Sequence, residues 1–252
     1  MKLVQLVMGP AGSGKSTYCL EIYKYLSETN RFAKIINIDP SIDNMEYPNS
    51  IDIRNLINVV EVMEEFYLGP NGALLFCMEY LMDNLDWLEN EINNSFENHL
   101  IIDLPGQIEL YSHNNLMKEL TIYLSSKCNL NIVGLFLVDC QFIADIGKFF
   151  SGTIVALSCM LSLDAPHYNI LNKLDLIKNS PKQILEKFLY PSSNILINDL
   201  KMIINYKYKK LTLKISKLLE DFSMVHYIPL DVSSSDKIAT LFQLINQPFE
   251  NE

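Results

Sequence analysis

The sequence is short of positive charge, histidine and long uncharged runs, and each shortage excludes something. Lys and Arg number 20 against 30 Asp and Glu, a formal net charge of −10. That balance argues against a general nucleic-acid binder, and no direct nucleic-acid contact is expected. A nucleoside triphosphate remains compatible, because Mg²⁺ and backbone dipoles neutralise phosphates locally. The longest stretch without a charged residue runs only from Phe149 to Leu163, shorter than the ~20 apolar residues that cross a bilayer. No membrane partner is expected. One Lys and then an apolar run open the sequence, without the pattern of a secretory signal, so the expected location is the cytoplasm. The four histidines (His99, His113, His167, His226) lack metal-ligand spacing, and the five cysteines (Cys19, Cys77, Cys128, Cys140, Cys159) form no C-x-x-C pair. No zinc site is expected, and the cysteines read as buried free thiols in a reducing compartment. On that reading the glycosylation pattern Asn93-Asn94-Ser95 is incidental.

What is present centres on Gly9-Pro10-Ala11-Gly12-Ser13-Gly14-Lys15-Ser16-Thr17, between an apolar run (Leu3 to Met8) and a helical segment (Thr17 to Thr29). The spacing fits the phosphate-binding loop G-x-x-x-x-G-K-[ST]. Glycines such as Gly12 and Gly14 admit positive φ, so successive N–H groups, including that of Ser13, can point at phosphate oxygens. The loop delivers those phosphates to the positive end of a helix. Lys15 is expected to reach the β/γ-phosphates and the Ser16 hydroxyl to ligate Mg²⁺, with Thr17 beside it.

At 252 residues, 49% hydrophobic and 20% charged, the chain suits one large α/β domain with helical additions. Six apolar runs recur: Leu3–Met8, Ala33–Ile38, Leu100–Leu104, Ile132–Val138, Tyr168–Leu171 and Val225–Pro229. Runs apolar on both faces and separated by helices predict a doubly wound, mostly parallel sheet of the P-loop NTPase type. Their ends carry the loop at Gly9, then Asp39, Asp103, Asp139, Asn172 to Asp175, and Asp231, where ligands bind in such sheets. A helical insertion spans about 40–98, with stretches Ile51–Phe66 and Leu74–Glu91 joined by Gly69-Pro70-Asn71-Gly72. By its residue types that joint is a turn. Phe142–Leu163 is apolar nearly all round, and either crosses the sheet under another element or forms a subunit interface. A helical part at about 180–221 is broken at Pro191-Ser192-Ser193. Its lysines (Lys201, Lys207, Lys209, Lys210, Lys214, Lys217) read as a solvated face by default, or as a dock for an acidic partner.

Three further segments carry chemistry. Asp103, closing Ile101-Ile102-Asp103, is the acidic partner of a phosphate loop and would hold Mg²⁺ directly or through water. Gly106 after it lets a backbone N–H approach the γ-phosphate, and Gln107 or Glu109 could orient the attacking water. Glu109 reads equally as a first-turn helix acid. Asn172-Lys173-Leu174-Asp175 matches N-K-x-D. One carboxylate, that of Asp175, can accept both adjacent N–H donors of guanine, a pair that adenine lacks, while the Lys173 stem covers the base. The bland alternative is a helix N-cap. Asp39, in Asn37-Ile38-Asp39-Pro40, either serves Mg²⁺ or the attacking water or simply starts a turn. Two other classes stay open. A small-molecule kinase would want an arginine-bearing lid, yet only Arg54 is basic between Lys34 and Lys118. A scaffold that holds GTP with negligible hydrolysis would share every motif.

With these residues in hand the chain resembles the GPN-loop GTPases, a P-loop family that works as dimers. The resemblance runs from Leu3 to about Leu244, and is most specific at Gln5 to Thr17, Gly69-Pro70-Asn71 and Asp103-Leu104-Pro105-Gly106-Gln107-Ile108-Glu109-Leu110. It implies GTP hydrolysed to GDP and phosphate with Mg²⁺ as cofactor, held by Ser16, Asp39 and Asp103. It implies that Gly69-Pro70-Asn71 reaches the partner's active site, Asn71 serving there in trans as a neutral counterpart of an arginine finger. Asp39, Gln107 and Glu109 match positions the family uses around Mg²⁺ and the attacking water. It further implies a heterodimer with GPN-loop GTPase 1 (a homodimer in isolation), RNA polymerase II subunits as clients in assembly and nuclear import, and shuttling to the nucleus. The loop after the last strand, Leu230-Asp231-Val232-Ser233, carries no sharp base-contact pattern.

Overall fold

The alternation in the first strand explains why the sheet needs cover on both faces. In β1 (Leu3–Met8) every residue is buried. Val4, Leu6 and Met8 join one apolar cluster, and Leu3 and Val7 join another on the opposite face. Gln5, on the second face, is also buried, and its Oε1 accepts a 2.8 Å hydrogen bond from the Tyr18 hydroxyl. The structure, a computed structural model, describes residues 2–42, 47–48, 50–112, 115–177 and 226–249, with residues 189, 210, 211, 214 and 217.

Within those residues one sheet of seven strands runs β3-β2-β4-β1-β5-β6-β7, all pairs parallel. The strands are β1, β2 (Ala33–Asn37), β3 (Ser50–Asp52), β4 (His99–Asp103), β5 (Asn131–Asp139), β6 (His167–Asn172) and β7 (Tyr227–Pro229). The doubly wound expectation holds, and all six expected runs are strands to within a residue or two. Strand β3 is the addition. Ile51 and Asp52 belong to it rather than to a helix, a 3₁₀ turn follows (Ile53–Asn55), and the next helix, α2 (Val59–Phe66), comes only after it.

One face is covered by α1 (Lys15–Glu28), which buries Tyr18, Cys19, Ile22 and Leu26 at helical spacing. Helix α8 (Ser235–Asn246) packs beside α1, with Ile238, Leu241, Phe242 and Ile245 buried. The other face carries α3 (Pro70–Asp83), α4 (Leu85–Asn93), α5 (Glu109–Ser112), α6 (Leu116–Ser126) and α7 (Ile146–Leu163). The stretch Leu74–Glu91 is thus two helices, parted at Asn84, which leaves helical geometry at φ −121°. Gly69-Pro70-Asn71-Gly72 is more than a turn. Gly69 caps α3, and Pro70 occupies its first turn, where proline lacks only an N–H that had no helical partner. Helix α7 covers the sheet with its inner side, as the first of the two Phe142–Leu163 alternatives has it. Phe149, Ala156, Cys159 and Leu163 are buried, and the helix packs on β5, α5 and α6. All five cysteines are free thiols, four of them buried. No described helix is long and apolar enough to cross a membrane. The break at 191–193 and lysines 201, 207 and 209 lie outside the described residues; Lys210, Lys214 and Lys217 are helical.

Two histidines sit at strand starts, opposite the loop end of the sheet. His167 opens β6 against Gly134, where an added Cβ would lie 2.8 Å from His167 Nδ1 and 2.9 Å from Leu163 Cδ1. Burial holds the His167 imidazole down at about 4, only partly offset by its contact with Asn169 Oδ1. Burial and the nearby Arg31 charge also lower His99, whose ring meets Phe242 of α8 edge-on at 5.4 Å. The unfolded chain takes up protons near the ordinary 6.5, while folded His167 resists until about 4. Its contribution to stability is therefore complete above about 6.5 and lost as pH falls toward 4, on the order of 3 kcal/mol at most. Urea midpoints measured from pH 7.5 down to 4 should fall, and His167→Asn should flatten that fall. Parallel curves for the two proteins would disprove this origin.

Candidate functional site

Parallel pairing sets the site before any side chain is considered. Register places Asp103 beside both Val7 and Asn37, and Asp139 beside Asn172. The residues that leave these strands therefore meet at one edge, at the carboxyl ends. The phosphate loop leaves β1 there and enters α1 through Gly14, at φ +90°. Glycine is required at this point on two grounds: the positive φ, and an added Cβ would lie 2.6 Å from Asn172 Nδ2. Lys15 is buried, and its Nζ donates to Gly9 O (3.1 Å) and Pro10 O (3.4 Å). Burial lowers its pKa, opposed by the charges of Asp103 and Asp39.

Asp103 has no solvent exposure. Its Oδ2 accepts from Ser16 Oγ at 2.8 Å and from the Tyr47 hydroxyl. Its Oδ1 is buried without a hydrogen-bond partner among the described residues. Burial pushes the Asp103 carboxyl up; hydrogen bonds from Tyr47 and Ser16 and the Lys15 charge pull it back. A carboxylate joined to a loop hydroxyl, with a second oxygen that lacks a donor, fits a hard cation that keeps several waters and takes its remaining ligands from phosphate. No group of three or more His, Cys, Asp or Glu side chains suited to a metal occurs among the described residues. Asp39 is nearly buried, and its Oδ1 accepts from Ser41 N (2.9 Å) and Ser41 Oγ (2.5 Å). Turn-starter and site-lining residue are therefore both true of it.

A cavity of about 580 Å³ opens over the loop, with Lys15, Ser16, Asp39 and Gln107 on one side and Met63 and Pro70 on the other. Gly106 closes tightly on the loop: an added Cβ would lie 2.9 Å from Ala11 Cα and 3.0 Å from Ala11 N. Gln107 Nε2 donates to Asn71 Oδ1 at 2.7 Å within the same chain. The start of α3 and the segment after β4 thus meet at the cavity. Glu109 does not join them. It is exposed in the first turn of α5, as the helix-acid reading has it.

The Asn172–Asp175 segment is tied to the phosphate loop by its side chains. Asn172 Nδ2 donates to Ser13 O at 2.9 Å, and Lys173 Nζ donates to Gly12 O at 2.6 Å and to Asp139 Oδ2 at 2.8 Å. Lys173 takes a positive φ of 62°. Asp175 follows in a 3₁₀ turn (Leu174–Ile177), and Thr17 lies on the first turn of α1; both are exposed. Leu230 N donates to Leu171 O at 2.8 Å, so the loop after β7 lies against the same segment. Two site residues escape sequence reasoning. Asp139 was visible only as a strand-end acid, with no sign that it would pair with Lys173. Tyr47 carries no motif at all and lies 56 positions from the carboxylate it touches.

A protein-family model described as "Conserved hypothetical ATP binding protein" matches residues 7–251. A Dictyostelium discoideum protein named GPN-loop GTPase 3 is 45% identical over 250 residues, spanning 99% of this chain and 87% of its own length. The Saccharomyces cerevisiae protein of the same name is 42% identical over 244 residues, spanning 96% and 90%. Among solved structures, a GTPase in apo form from Pyrococcus abyssi aligns with a TM-score of 0.80 and 25% identity, over 97% of this chain and 96% of that one.

The close approach of Gly106 to the loop backbone has a measurable consequence. Gly106→Ala should force the loop and the segment after β4 apart, at about 1–3 kcal/mol. Affinity for a GTP analogue should fall roughly tenfold or more. Unchanged affinity in titration calorimetry would show that the contact does not matter for the nucleotide.

Proposed function

The chain belongs to the GPN-loop GTPase family, and we propose that it acts there as a Mg²⁺-dependent dimeric switch. It is a GTPase, hydrolysing GTP to GDP and phosphate. The observation that carries the site assignment is the joining of Asn172 and Lys173 to Ser13 and Gly12. It couples a guanine-selecting segment to a phosphate-binding loop. The family description mentions ATP, whereas the named relatives are GTPases. The N-K-x-D segment decides for guanine, because only guanine offers Asp175 two adjacent N–H donors.

Each residue then has its own task. Loop N–H groups and Lys15 bind the β- and γ-phosphates, and Gly106 lets backbone approach the γ-phosphate. Ser16 and Asp103, with Asp39 nearby, would hold Mg²⁺, which supplies charge neutralisation at the phosphates. Gln107 orients the attacking water, and Asp39 polarises it. Glu109 is exposed and takes no part in this arrangement. Asn71 completes the partner's site across the dimer. In this chain Asn71 is exposed at the start of α3 and bonded to its own Gln107; its role in trans follows the family resemblance. The cellular reading follows the family resemblance: a heterodimer with GPN-loop GTPase 1, serving RNA polymerase II assembly and nuclear import from the cytoplasm. Co-purification of both from cells expressing the tagged chain is its expected outcome.

Two measurements test the chemistry. Calorimetric titration should give GTP binding with ATP at least about tenfold weaker, and equal affinities would overturn the guanine assignment. Asn71→Ala should keep GTP binding but lose on the order of a hundredfold in hydrolysis within the dimer. Normal turnover would remove Asn71 from the mechanism.

A further inference from the structure

We propose that Tyr47 is a positioning residue for the Mg²⁺ site: its hydroxyl, together with that of Ser16, fixes the orientation of the Asp103 carboxylate. This rests on the Mg²⁺ dependence proposed above and adds to it a residue outside every motif. Three observations carry it. Asp103 is wholly buried, yet both donors it receives fall on one oxygen: Ser16 Oγ and Tyr47 Oη reach Oδ2, while Oδ1 has no hydrogen-bond partner among the described residues. A buried carboxylate oxygen left without a donor is costly unless something else satisfies it. A carboxylate with two donors on one oxygen is also fixed in rotation about its Cβ–Cγ bond, which a single donor does not achieve.

The second observation is how Tyr47 itself is held. Its ring is 7% exposed and sits in the apolar cluster with Tyr18, Cys19, Ile35 and Ile101. Its backbone carbonyl accepts from Ser50 Oγ at 3.2 Å, at the first residue of β3. Packing and a backbone tie therefore fix the hydroxyl independently of the phosphate loop. Thirdly, Ser16 belongs to α1, Asp103 to β4, and Tyr47 to the segment that leaves Asp39 for β3. Two donors from two other elements therefore converge on one oxygen of Asp103. Supports of this kind around metal-ligating carboxylates are worth 10–100-fold in metal affinity.

The opposite role is also conceivable chemically: a phenol that competes with the cation for the carboxylate. The two predict opposite signs. The test compares the affinity of the full chain for GDP, titrated with saturating Mg²⁺ and again with EDTA, in parent and Tyr47→Phe proteins. Tyr47→Phe keeps the packed ring and removes the donor. Affinity in EDTA should stay within about twofold of the parent, while the gain conferred by Mg²⁺ should shrink roughly tenfold. An unchanged gain reduces Tyr47 to core packing, and a larger gain makes it a competitor; either overturns the proposal. A parent protein with no Mg²⁺ gain would instead refute the Mg²⁺ reading beneath it. Should Tyr47→Phe fail to fold, Tyr47→Met, an apolar side chain of similar reach that also lacks the donor, is read in the same way. An unchanged gain in a folded Tyr47→Met protein overturns the proposal equally.

Discussion

A carboxylate without water contact, Asp103, is the constraint on which the rest of this structure turns. Burying a charge is unfavourable unless donors and counter-charges surround it. Here they come from separate elements: Ser16 on α1, Tyr47 ahead of β3, and the Lys15 ammonium from the loop. None can supply its share unless β4 lies between β1 and β2 in the observed register, with Asp103 beside Val7 and Asn37. The sheet order is thus a condition for the chemistry, and the chemistry in turn explains a buried acid in an apolar core.

The second dependence is between the two halves of the nucleotide site. Asn172 and Lys173 reach the carbonyls of Ser13 and Gly12, and Asp139 holds the Lys173 ammonium. The phosphate loop is therefore braced from the base side as well as by its own helix. Gly14 and Gly106 permit this bracing. At one a side chain would strike Asn172, and at the other it would strike the loop backbone. The phosphate loop and the segment after β6 are thus mechanically one arrangement.

Asn71 and Gln107 give the third relation. Asn71 follows the proline that opens α3, and Gln107 meets it at 2.7 Å. Pro70 and Gln107 line the cavity beside this contact.

Much of this was legible in the residues alone. The loop from Gly9 to Thr17, Asp103 with Gly106, and Asn172 to Asp175 are local patterns whose chemistry is written in adjacent positions. The parallel sheet followed from runs apolar on both faces. Strand β3 was not legible, because Ser50-Ile51-Asp52 is shorter than any periodicity and precedes a helical stretch. Nor was the division at Asn84, where no glycine or proline marks the break. Asn71 meeting Gln107, Asp139 pairing with Lys173 and Tyr47 reaching Asp103 are all pairings between distant positions. By itself the sequence determined which ligand chemistry is present, since phosphate and guanine recognition depend on residue types at short spacing. Only the tertiary structure decided how that chemistry is held, because a buried carboxylate takes its donors from whatever elements the register brings beside it.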